Sequence, residues 1–361
     1  MAKKTTAYIG LGSNLGDRKG YISKALQSLN SGGQTRLLRT SSLIETKPVG
    51  MKTSSDFLNT VAEIETSFSA HQLLGRLEQI EGTLGRETKG EKKDRTIDLD
   101  LLLYDSQIID SKDLKVPHGK MHLRSFVLEG ICELSPDLQH PVLGCTCREL
   151  LERLNGNDYD FPPDYPKLVS IAGVIGVGKT TLTEKLCDIT GFEPIYECYD
   201  ENPFLSEVYA GNQQLALDSQ LFFLMSRIEQ LNPATLKKSK ACTCDYVFEK
   251  EMIYAEKFLD KTQLELYKKI NSLSVFRTVT PGIVIYLVDS VENCLEKIRK
   301  RGRSYEQDIT PQLLEELAGS YEKLFEKWDK CPVITIRVDE NNITNEEFTE
   351  ELANHIEYYL R

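Results

Sequence analysis

The first half of the chain alternates between strand and helix patterns of apolar residues. Strand patterns occupy residues 7–11, 37–46, 61–66 and 97–103. Residues 21–29 and 70–82 instead carry apolar side chains three and four positions apart, which predicts helices. Strands with helices segregated to one side predict an α+β sandwich for this half.

The second half shows strands and helices in alternation. Continuous apolar runs typical of buried strands lie at residues 168–172, 283–288 and 333–338. Helical spacing dominates elsewhere, at residues 219–231, 249–260, 263–273, 291–300, 311–328 and 345–360. This alternation predicts an α/β domain with a parallel sheet wrapped by helices.

A segment without apolar periodicity joins the two halves. Residues 155–167 read NGNDYDFPPDYPK, and this Asn, Asp and Pro content is typical of a linker. We therefore predict domains at residues 1–157 and 167–361, joined by a linker at 158–166. The length of 361 residues agrees with two to three domains.

The composition is that of an ordinary soluble protein, with 40% hydrophobic and 27% charged residues. The net charge of −11 argues against a general nucleic-acid or membrane-surface binder. No apolar run approaches the ~18 residues of a membrane span, and no stretch near the N-terminus suits a signal peptide. The nine cysteines are scattered, without the spacing of a structural zinc site. We therefore expect reduced thiols and a cytoplasmic protein.

Two aspartates form the first candidate phosphate site. Asp98 and Asp100 lie two apart in a strand pattern, so their side chains point to the same face, and Arg95 is close in sequence. Neighbouring carboxylates repel unless a cation lies between them. Mg²⁺ is the expected cation, because it binds through one or two carboxylates plus substrate phosphates.

A second phosphate site is predicted where GVIGVGKTT matches G-x-x-x-x-G-K-[ST] in full. A strand pattern precedes this loop and a helical pattern follows it, which is the context of a P-loop. Its phosphate-binding residues are predicted to be Gly173, Gly176, Gly178, Lys179, Thr180 and Thr181. Lys179 would neutralise phosphate charge and the Thr180 hydroxyl would ligate Mg²⁺. Two phosphate sites on one chain indicate two fused kinases.

Several motifs of the first half occur in a definite order. They are AYIGLGSNLGD (7–17), ETKPVG (45–50), DFLNTV (56–61), IEGTLGR (80–86), DRTIDLDLLLYD (94–105) and VPHGKMHLRSFVL (116–128). With them, residues 5–155 resemble 6-hydroxymethyl-7,8-dihydropterin pyrophosphokinase of folate biosynthesis. The resemblance implies a ferredoxin-like α+β sandwich that transfers pyrophosphate from ATP to the pterin hydroxymethyl oxygen.

The resemblance also implies roles for the charged residues of these motifs. Asp98 and Asp100 would hold the magnesium ions that bridge the ATP phosphates. Arg86 and Arg95 would stabilise charge on the transferred group. The remaining phosphate contacts would come from His118 and Arg124.

The pterin would be bound by three further residues. Phe57 and Phe126 would sandwich the flat ring by offset stacking. Asn59 would hydrogen-bond polar atoms on the pterin edge. Glu81 would order the ATP site.

The second half carries PIYECYDENPFL (194–205), SQLFFLMSRIEQL (219–231) and RGRSYE (301–306) beside its P-loop. With these motifs, residues 167–361 resemble the deoxynucleoside kinase family. The resemblance implies that Glu197 is the general base for the sugar 5′-hydroxyl. Gln220 and Arg227 lie two helical turns apart on one face, and they would hydrogen-bond the nucleobase.

Four more residues of this half match family positions. Tyr209 and Glu306 would hold the sugar 3′-hydroxyl. Arg301 and Arg303 would form a lid that closes over ATP and stabilises transition-state charge.

One family motif, Asp/Glu-Arg-Ser, is altered in this chain. Asp245 aligns with its acid in one alignment, which puts Tyr246 where the arginine is expected. In the other alignment Glu249 and Lys250 match, and lysine replaces arginine, although it lacks the fork of donors. The choice of base stays open, with purine deoxynucleosides favoured.

Three functions are compatible with the sequence. The leading hypothesis is a bifunctional enzyme, a pterin pyrophosphokinase with a deoxynucleoside kinase. The altered motif favours a second hypothesis, in which the C-terminal half is a nucleotide-binding regulatory or assembly module. In a third, the acceptor is a nucleoside monophosphate, against which the Tyr209 and Glu306 pair argues. The resemblance further implies a homodimer through helices of the C-terminal domain.

Overall fold

A computed structural model of the chain describes residues 4–50, 55–86, 93–236, 241–274, 277–306 and 309–361. The chain divides into two units, Met1–Asp160 and Phe161–Arg361. Within the described ranges, no helix is both long and apolar enough to cross a membrane.

The first unit is built around an antiparallel sheet. Its elements are β1 (Thr5–Ser13), α1 (Arg18–Leu29), β2 (Thr35–Thr40), β3 (Ile44–Thr46), β4 (Phe57–Thr66), α2 (Ala70–Thr83), β5 (Asp98–Tyr104), β6 (Ile109–Asp110), β7 (Lys115–Val116), α3 (Ser125–Leu134) and α4 (Cys147–Glu152). The strand order is β2–β4–β1–β5, and β3 also pairs with β4. The prediction of strands combined with helices is confirmed for this unit.

The single strand predicted at residues 37–46 is wrong, because β2 and β3 are separate strands. Ser41 lies between them, and its side-chain oxygen accepts a hydrogen bond from the Val61 backbone N–H at 2.9 Å. The Ser41 hydroxyl thus accepts from a β4 backbone donor that a carbonyl oxygen would accept from in a regular ladder. The strand pattern therefore breaks at this serine.

The two faces of this sheet pack against different helices. One face packs against α1 and α2 through buried apolar residues, among them Ile9, Leu11, Ile22, Ile64, Leu73, Leu77 and Leu99. Side chains alternate between faces along a strand, so the intervening residues Gly10 and Gly12 lie on the other face. Helix α3 approaches that second face, where a Cβ atom on Gly130 would lie 2.6 Å from Val61 Cγ2. The predicted segregation of the helices to one side is therefore wrong, because the sheet has a second apolar face that α3 covers.

The second unit is a parallel sheet surrounded by helices, as predicted. Its elements are β8 (Leu168–Ala172), α5 (Lys179–Thr190), β9 (Glu193–Ile195), α6 (Leu205–Tyr209), α7 (Ala216–Gln230), α8 (Pro233–Leu236), β10 (Cys242–Cys244), α9 (Lys250–Phe258), α10 (Lys261–Ser274), β11 (Ile283–Val288), α11 (Val291–Arg301), α12 (Pro311–Glu326), β12 (Val333–Arg337) and α13 (Glu346–Tyr359). The strand order is β12–β11–β8–β10–β9, with every pairing parallel.

Parallel strands bring functional loops to one edge of this sheet. The predicted P-loop follows β8, Glu197 follows β9, and Asp245 follows β10. Ligands of open α/β sheets bind at the carboxyl ends of the strands. This edge is therefore the expected place of the second site.

Candidate active sites

Glycines on β1 open a cavity in the first unit. Gly12 pairs with Asn59 on β4 and with Asp98 on β5, and Gly10 pairs with Asp100. Paired residues share a face of the sheet. Because the glycines have no side chains, their neighbours surround an open space. The predicted residues that line it are Phe57, Asn59, Arg95, Asp98, Asp100, Arg124 and Phe126.

Two arginines hold the Asp98 carboxylate. Arg86 contacts Oδ1, and Arg95 Nη2 lies 3.1 Å from Oδ2. Arg86 also contacts Glu81, whose Oε1 accepts a hydrogen bond from the Leu99 backbone N–H at 2.7 Å. Burial lowers the pKa of Arg86, but the charges of Asp98 and Glu81 outweigh it, and the net direction is upward. Glu81 thus ties Arg86 to the strand between the two aspartates.

The cationic neighbours of Asp100 lie farther away than those of Asp98. Its Oδ2 lies 3.6 Å from Arg124 Nη1 and 4.0 Å from His118 Nε2. Burial lowers the pKa of His118, although the charge of Asp100 acts in the opposite direction. Burial therefore favours the neutral imidazole, which hydrogen-bonds through one N–H.

The second unit contains a cavity of about 320 Å³, within the range of small-molecule sites. The predicted residues that line it are Gly176, Gly178, Lys179, Thr180, Thr181, Glu197, Tyr209, Gln220, Arg227, Lys250, Arg301, Arg303 and Glu306. Of the residues predicted for this half, only Gly173 and Asp245 lie outside the lining. The fold therefore gathers residues spread over 130 positions of sequence into one site.

The predicted phosphate loop requires its glycines. Gly173 and Gly176 have φ values of +139° and +82°, and a Cβ atom on either would lie 2.5 Å from a backbone oxygen. Lys179 Nζ donates to the carbonyl oxygens of Gly173 and Val174 at 3.0 and 2.8 Å. Burial lowers the pKa of Lys179 to about 7.

Asp245 connects the phosphate loop to the segment that carries Glu197. One carboxylate oxygen accepts a hydrogen bond from Thr180 Oγ1 at 2.8 Å. The other accepts one from the Glu197 backbone N–H at 2.9 Å. Asp245 thereby sets the distance between the loop and Glu197.

The Glu197 carboxylate lies between two cations. Lys250 Nζ donates to its oxygens at 2.8 and 2.6 Å, and Arg227 contacts Oε1. The Tyr246 hydroxyl instead lies 2.5 Å from Gln230 Oε1, in the apolar core. Of the two residues aligned with the family arginine, Lys250 is therefore the one at Glu197.

The two arginines predicted to form a lid share one carboxylate. Arg301 Nη2 lies 2.7 and 2.6 Å from the two oxygens of Glu306, and Arg303 Nη1 lies at 3.6 Å. The ring of Tyr209 stacks on Tyr305 with a centroid distance of 6.3 Å. Burial and the charge of Glu306 raise the pKa of Tyr209. The predicted lid and the predicted sugar site are thus in direct contact.

Comparison with known families agrees with this division. The family model for 7,8-dihydro-6-hydroxymethylpterin-pyrophosphokinase matches residues 8–136. The family model for deoxynucleoside kinase matches residues 169–361, more than half of the chain. The chain belongs to both families. We call the two units the pyrophosphokinase domain and the deoxynucleoside kinase domain.

Curated relatives match each domain separately. The 2-amino-4-hydroxy-6-hydroxymethyldihydropteridine pyrophosphokinase of Haemophilus influenzae is 41% identical over 136 residues, which are 38% of this chain and 85% of that protein. The deoxyguanosine kinase of Bacillus subtilis is 35% identical over 196 residues, 52% of this chain and 95% of that protein. The folic acid synthesis protein fol1 of Pneumocystis carinii is 40% identical over 161 residues, 45% of this chain but only 21% of that protein.

Among solved structures, the deoxyadenosine kinase of M. mycoides with bound dCTP is similar to this chain. It shows 25% identity and a TM-score of 0.46, with coverage of 52% of this chain and 99% of that one.

Sequence reasoning missed two residues that support the pyrophosphokinase site. Asn14 Oδ1 accepts a hydrogen bond from the Arg95 backbone N–H at 2.8 Å, and so holds Arg95 beside the cavity. Thr46 Oγ1 accepts one from Asn59 Nδ2 at 2.9 Å. Asn14 lies in the motif AYIGLGSNLGD and Thr46 in ETKPVG. Only the folded sheet brings these two side chains to their hydrogen-bond partners.

We predict that Gly12→Ala weakens pterin binding. A Cβ atom at this position would lie 2.8 Å from Asn59 Oδ1, and the hydrogen bond from Asn59 to Thr46 restricts its retreat. We expect the pterin Kd measured by calorimetry to rise about tenfold, the scale of one disturbed hydrogen bond. Gly75→Ala is the matched control, because a Cβ atom there has open space. Equal pterin affinities in both variants would contradict the prediction.

Proposed function

We propose that the chain is a bifunctional ATP-dependent kinase. The pyrophosphokinase domain transfers pyrophosphate from ATP to 6-hydroxymethyl-7,8-dihydropterin in folate biosynthesis. The deoxynucleoside kinase domain phosphorylates the 5′-hydroxyl of a deoxynucleoside in salvage. The observation that carries the second activity is that Glu197 shares one cavity with Lys179 of the phosphate loop.

In the pyrophosphokinase domain, we infer that the pterin lies between Phe57 and Phe126. Both residues line the cavity, together with Asn59. Because the Asn59 amide nitrogen donates to Thr46, its oxygen is left to accept from the pterin edge. Aromatic stacking and one oriented amide suit a flat heterocycle.

The phosphate side of this domain supports a Mg²⁺ site at Asp98 and Asp100. Both carboxylates line the cavity, and cationic side chains contact each of them, which fits a site that attracts positive charge. Within the described residues, no three His, Cys, Asp or Glu side chains form a complete metal cage, so Mg²⁺ would take other ligands from ATP and water. When bound, Mg²⁺ would neutralise phosphate charge.

The basic residues of this domain would bind the phosphates of ATP. Arg95 and Arg124 line the cavity and have donors within 4 Å of the aspartates. Arg86 is nearly fully buried and fixed by Glu81, so it acts as an immobile positive charge. His118 would add a neutral N–H donor. Fixed donors aimed at developing charge supply the largest part of catalysis in phosphoryl transfer.

In the kinase domain, we infer that Glu197 removes the proton of the sugar 5′-hydroxyl as it attacks the ATP γ-phosphate. Lys250 and Arg227 hold the carboxylate in place. Lys179 would contact the β- and γ-phosphates. The Thr180 hydroxyl and the Asp245 carboxylate, 2.8 Å apart, are the oxygen donors suited to Mg²⁺.

The lid and the sugar site complete this proposal. Arg301 and Arg303 would turn toward the phosphates when ATP binds. Tyr209 and Glu306 would hold the 3′-hydroxyl, which supports a free nucleoside rather than a monophosphate as the acceptor. Gln220 and Arg227 would contact the base.

The alternative is a C-terminal domain that binds nucleotide without turnover. The altered Asp/Glu-Arg-Ser motif favours it. The position of Lys250 argues for catalysis, because its two hydrogen bonds hold the carboxylate of Glu197, the proposed general base.

The deciding experiment uses the purified chain with labelled ATP and Mg²⁺. We expect product with the hydroxymethyl-dihydropterin and with at least one of the four deoxynucleosides. Tight nucleotide binding without transfer to any deoxynucleoside would leave only the regulatory alternative for the second domain.

We predict that Phe57→Ala and Phe126→Ala each weaken pterin binding. Loss of a stacked ring costs roughly 1–3 kcal/mol, by analogy with bases stacked on aromatic side chains. The pterin Kd should rise at least fivefold in calorimetry, whereas the ATP Kd should stay within twofold. Unchanged pterin affinity in both variants would show that the two rings only pack in the protein and do not bind the pterin.

We also predict a homodimer formed by the kinase domain. Met225 on α7 and Leu266 and Leu273 on α10 expose large apolar side chains, and the two helices are neighbours. A twofold interface uses the same patch in both copies. Light scattering should give twice the chain mass of 41.0 kDa. Leu273→Glu should shift the mass toward monomer, and Leu38→Glu in the other domain should not. A monomeric wild-type chain at micromolar concentration would disprove the interface.

Three broader predictions remain proposals. The division at Asp160 and Phe161 supports domain bounds of 1–157 and 167–361 with a linker at 158–166. The order β2–β4–β1–β5, with a helix between β1 and β2 and another between β4 and β5, supports a ferredoxin-like class. The nine free cysteines support a reducing, cytoplasmic location.

A further inference from the structure

The last residues of the pyrophosphokinase domain run beside a segment that carries several of its predicted site residues. This segment contains His118, Arg124 and Phe126. Asp158 forms an isolated antiparallel bridge with Arg124. The Tyr159 backbone N–H donates to the Leu123 carbonyl oxygen at 2.8 Å. The end of the domain is therefore bonded directly to the backbone of the site.

Asp158 caps helix α3 from outside the helix. The residue in the N-cap position is Arg124, whose side chain makes no cap hydrogen bond. Asp158 Oδ1 instead accepts hydrogen bonds from the Ser125 backbone N–H at 2.6 Å and from Ser125 Oγ at 2.8 Å. The first amides of a helix have no partner within it, and the helix dipole favours a negative charge beside them. Asp158 thus supplies the cap that the local sequence lacks.

Ser125 lies between two residues of the cavity. Arg124 has extended backbone, with φ −121° and ψ 105°, and Ser125 begins the helix. Arg124 Nη1 lies 3.6 Å from Asp100 Oδ2, and Phe126 lines the same cavity. Because the backbone changes from extended to helical at Ser125, the position of this residue determines where both neighbouring side chains point.

A further contact fixes the start of the same segment. The Lys120 side chain contacts Asp160, two residues after Asp158. The Lys120 backbone N–H donates to His118 Nδ1 at 3.3 Å. A neutral imidazole that accepts at Nδ1 carries its proton on Nε2, which is the nitrogen 4.0 Å from Asp100. The segment is therefore held near His118 as well as at Ser125.

We propose that Asp158 is a positioning residue of the pyrophosphokinase site, which holds Ser125 so that Arg124 and Phe126 face the cavity. The inference rests on the proposed pyrophosphokinase activity and deepens it. Arg124 is the proposed ATP contact and Phe126 a proposed pterin contact, so one carboxylate orients a binding group for each substrate. Asp158 lies beyond residues 8–136, which the family model matches, and at the start of the predicted linker. The site therefore includes the first residues of that predicted linker.

The test compares the intact wild-type chain with Asp158→Ala and Asp158→Asn in pterin pyrophosphorylation. We expect Asp158→Ala to raise KM for ATP and KM for the pterin about fivefold each, the scale of one lost hydrogen bond. Asp158→Asn should stay within twofold of the wild type, because asparagine caps a helix about as well as aspartate. An Asp158→Asn enzyme as impaired as Asp158→Ala would overturn the inference.

Ser69→Ala is the matched control. Ser69 caps α2 in the same domain, where its Oγ accepts a hydrogen bond from the Gln72 backbone N–H at 3.4 Å. Ser69 does not line the cavity. Removal of either cap should lower the melting temperature by a similar amount, but Ser69→Ala should keep both wild-type KM values.

A merely structural role for Asp158 would give a different result. Asp158→Ala would then lower kcat through loss of folded enzyme and leave both KM values unchanged, as would Ser69→Ala. That result would overturn the inference.

A further variant covers the case in which Asp158→Ala does not fold, as judged by its thermal transition. Ser125→Ala removes one of the two hydrogen bonds to Asp158 and keeps the backbone one. Both KM values should then rise about threefold. Unchanged KM values in a folded Ser125→Ala enzyme would overturn the inference alone. Absence of pterin product from the wild-type chain would overturn the proposed pyrophosphokinase, and this inference with it.

Discussion

Replacing Asp98 with asparagine is expected to lower pterin pyrophosphorylation by roughly 10²–10³-fold, because metal-assisted charge neutralisation is worth several kcal/mol. The substitution keeps the shape of the side chain and removes only its charge. Asp98 is a proposed Mg²⁺ ligand and also pairs with Arg86 and Arg95. Both losses act on the transferring phosphates.

Measurements at several Mg²⁺ concentrations separate these two losses. If Asp98 binds the metal, the variant should need more Mg²⁺ for half-maximal rate. Asp110→Asn is the matched control, since Asp110 is an exposed aspartate of β6 in the same domain. Deoxynucleoside phosphorylation should be unchanged in both variants. Full pterin activity in a folded Asp98→Asn protein would show that the metal site is elsewhere.

The second large effect is expected for Glu197→Gln in the kinase domain. A general base contributes roughly 10²–10⁴-fold to the rate, so kcat for the preferred deoxynucleoside should fall by that factor. Glutamine still accepts hydrogen bonds from Lys250 and Arg227, and nucleoside affinity should change less than kcat. Steady-state kinetics and calorimetry on the same preparation give both quantities.

Glu193→Gln is the control for this variant. Glu193 lies on β9, four residues before Glu197, and is exposed. It should behave like the wild type. Pterin pyrophosphorylation should be normal in both proteins, because that site belongs to the other domain. Retention of deoxynucleoside turnover in Glu197→Gln would assign the base to another group.

The pattern of apolar residues along the chain predicted the strands that are long enough to show it. The strands Leu168–Ala172 and Ile283–Val288 have the predicted bounds, because strands buried on both faces read as continuous apolar runs. The strands Glu193–Ile195 and Cys242–Cys244 were not predicted. Each has only three residues, and neighbouring parallel strands hold them in the sheet. A segment that short carries no periodicity of its own.

The residues of the candidate sites also fall into two groups, those predictable from sequence spacing and those placed only by the fold. The P-loop and the pair Asp98 and Asp100 are predictable from spacing, because backbone geometry alone relates residues that lie a few positions apart. The partners of Glu197 are different. Lys250 is 53 positions away from Glu197, and two alignments of its motif were open until the fold placed it there.

The sequence by itself therefore determined that the chain combines a pyrophosphokinase domain with a deoxynucleoside kinase domain, and which motifs belong to each. Only the tertiary structure decided which cation holds Glu197, that Asp158 holds Ser125, and that Gly12 faces Asn59 and Asp98. The physical reason is that sequence patterns report local backbone geometry and burial. Pairing between distant charges depends on how helices and strands pack, and no local pattern records it.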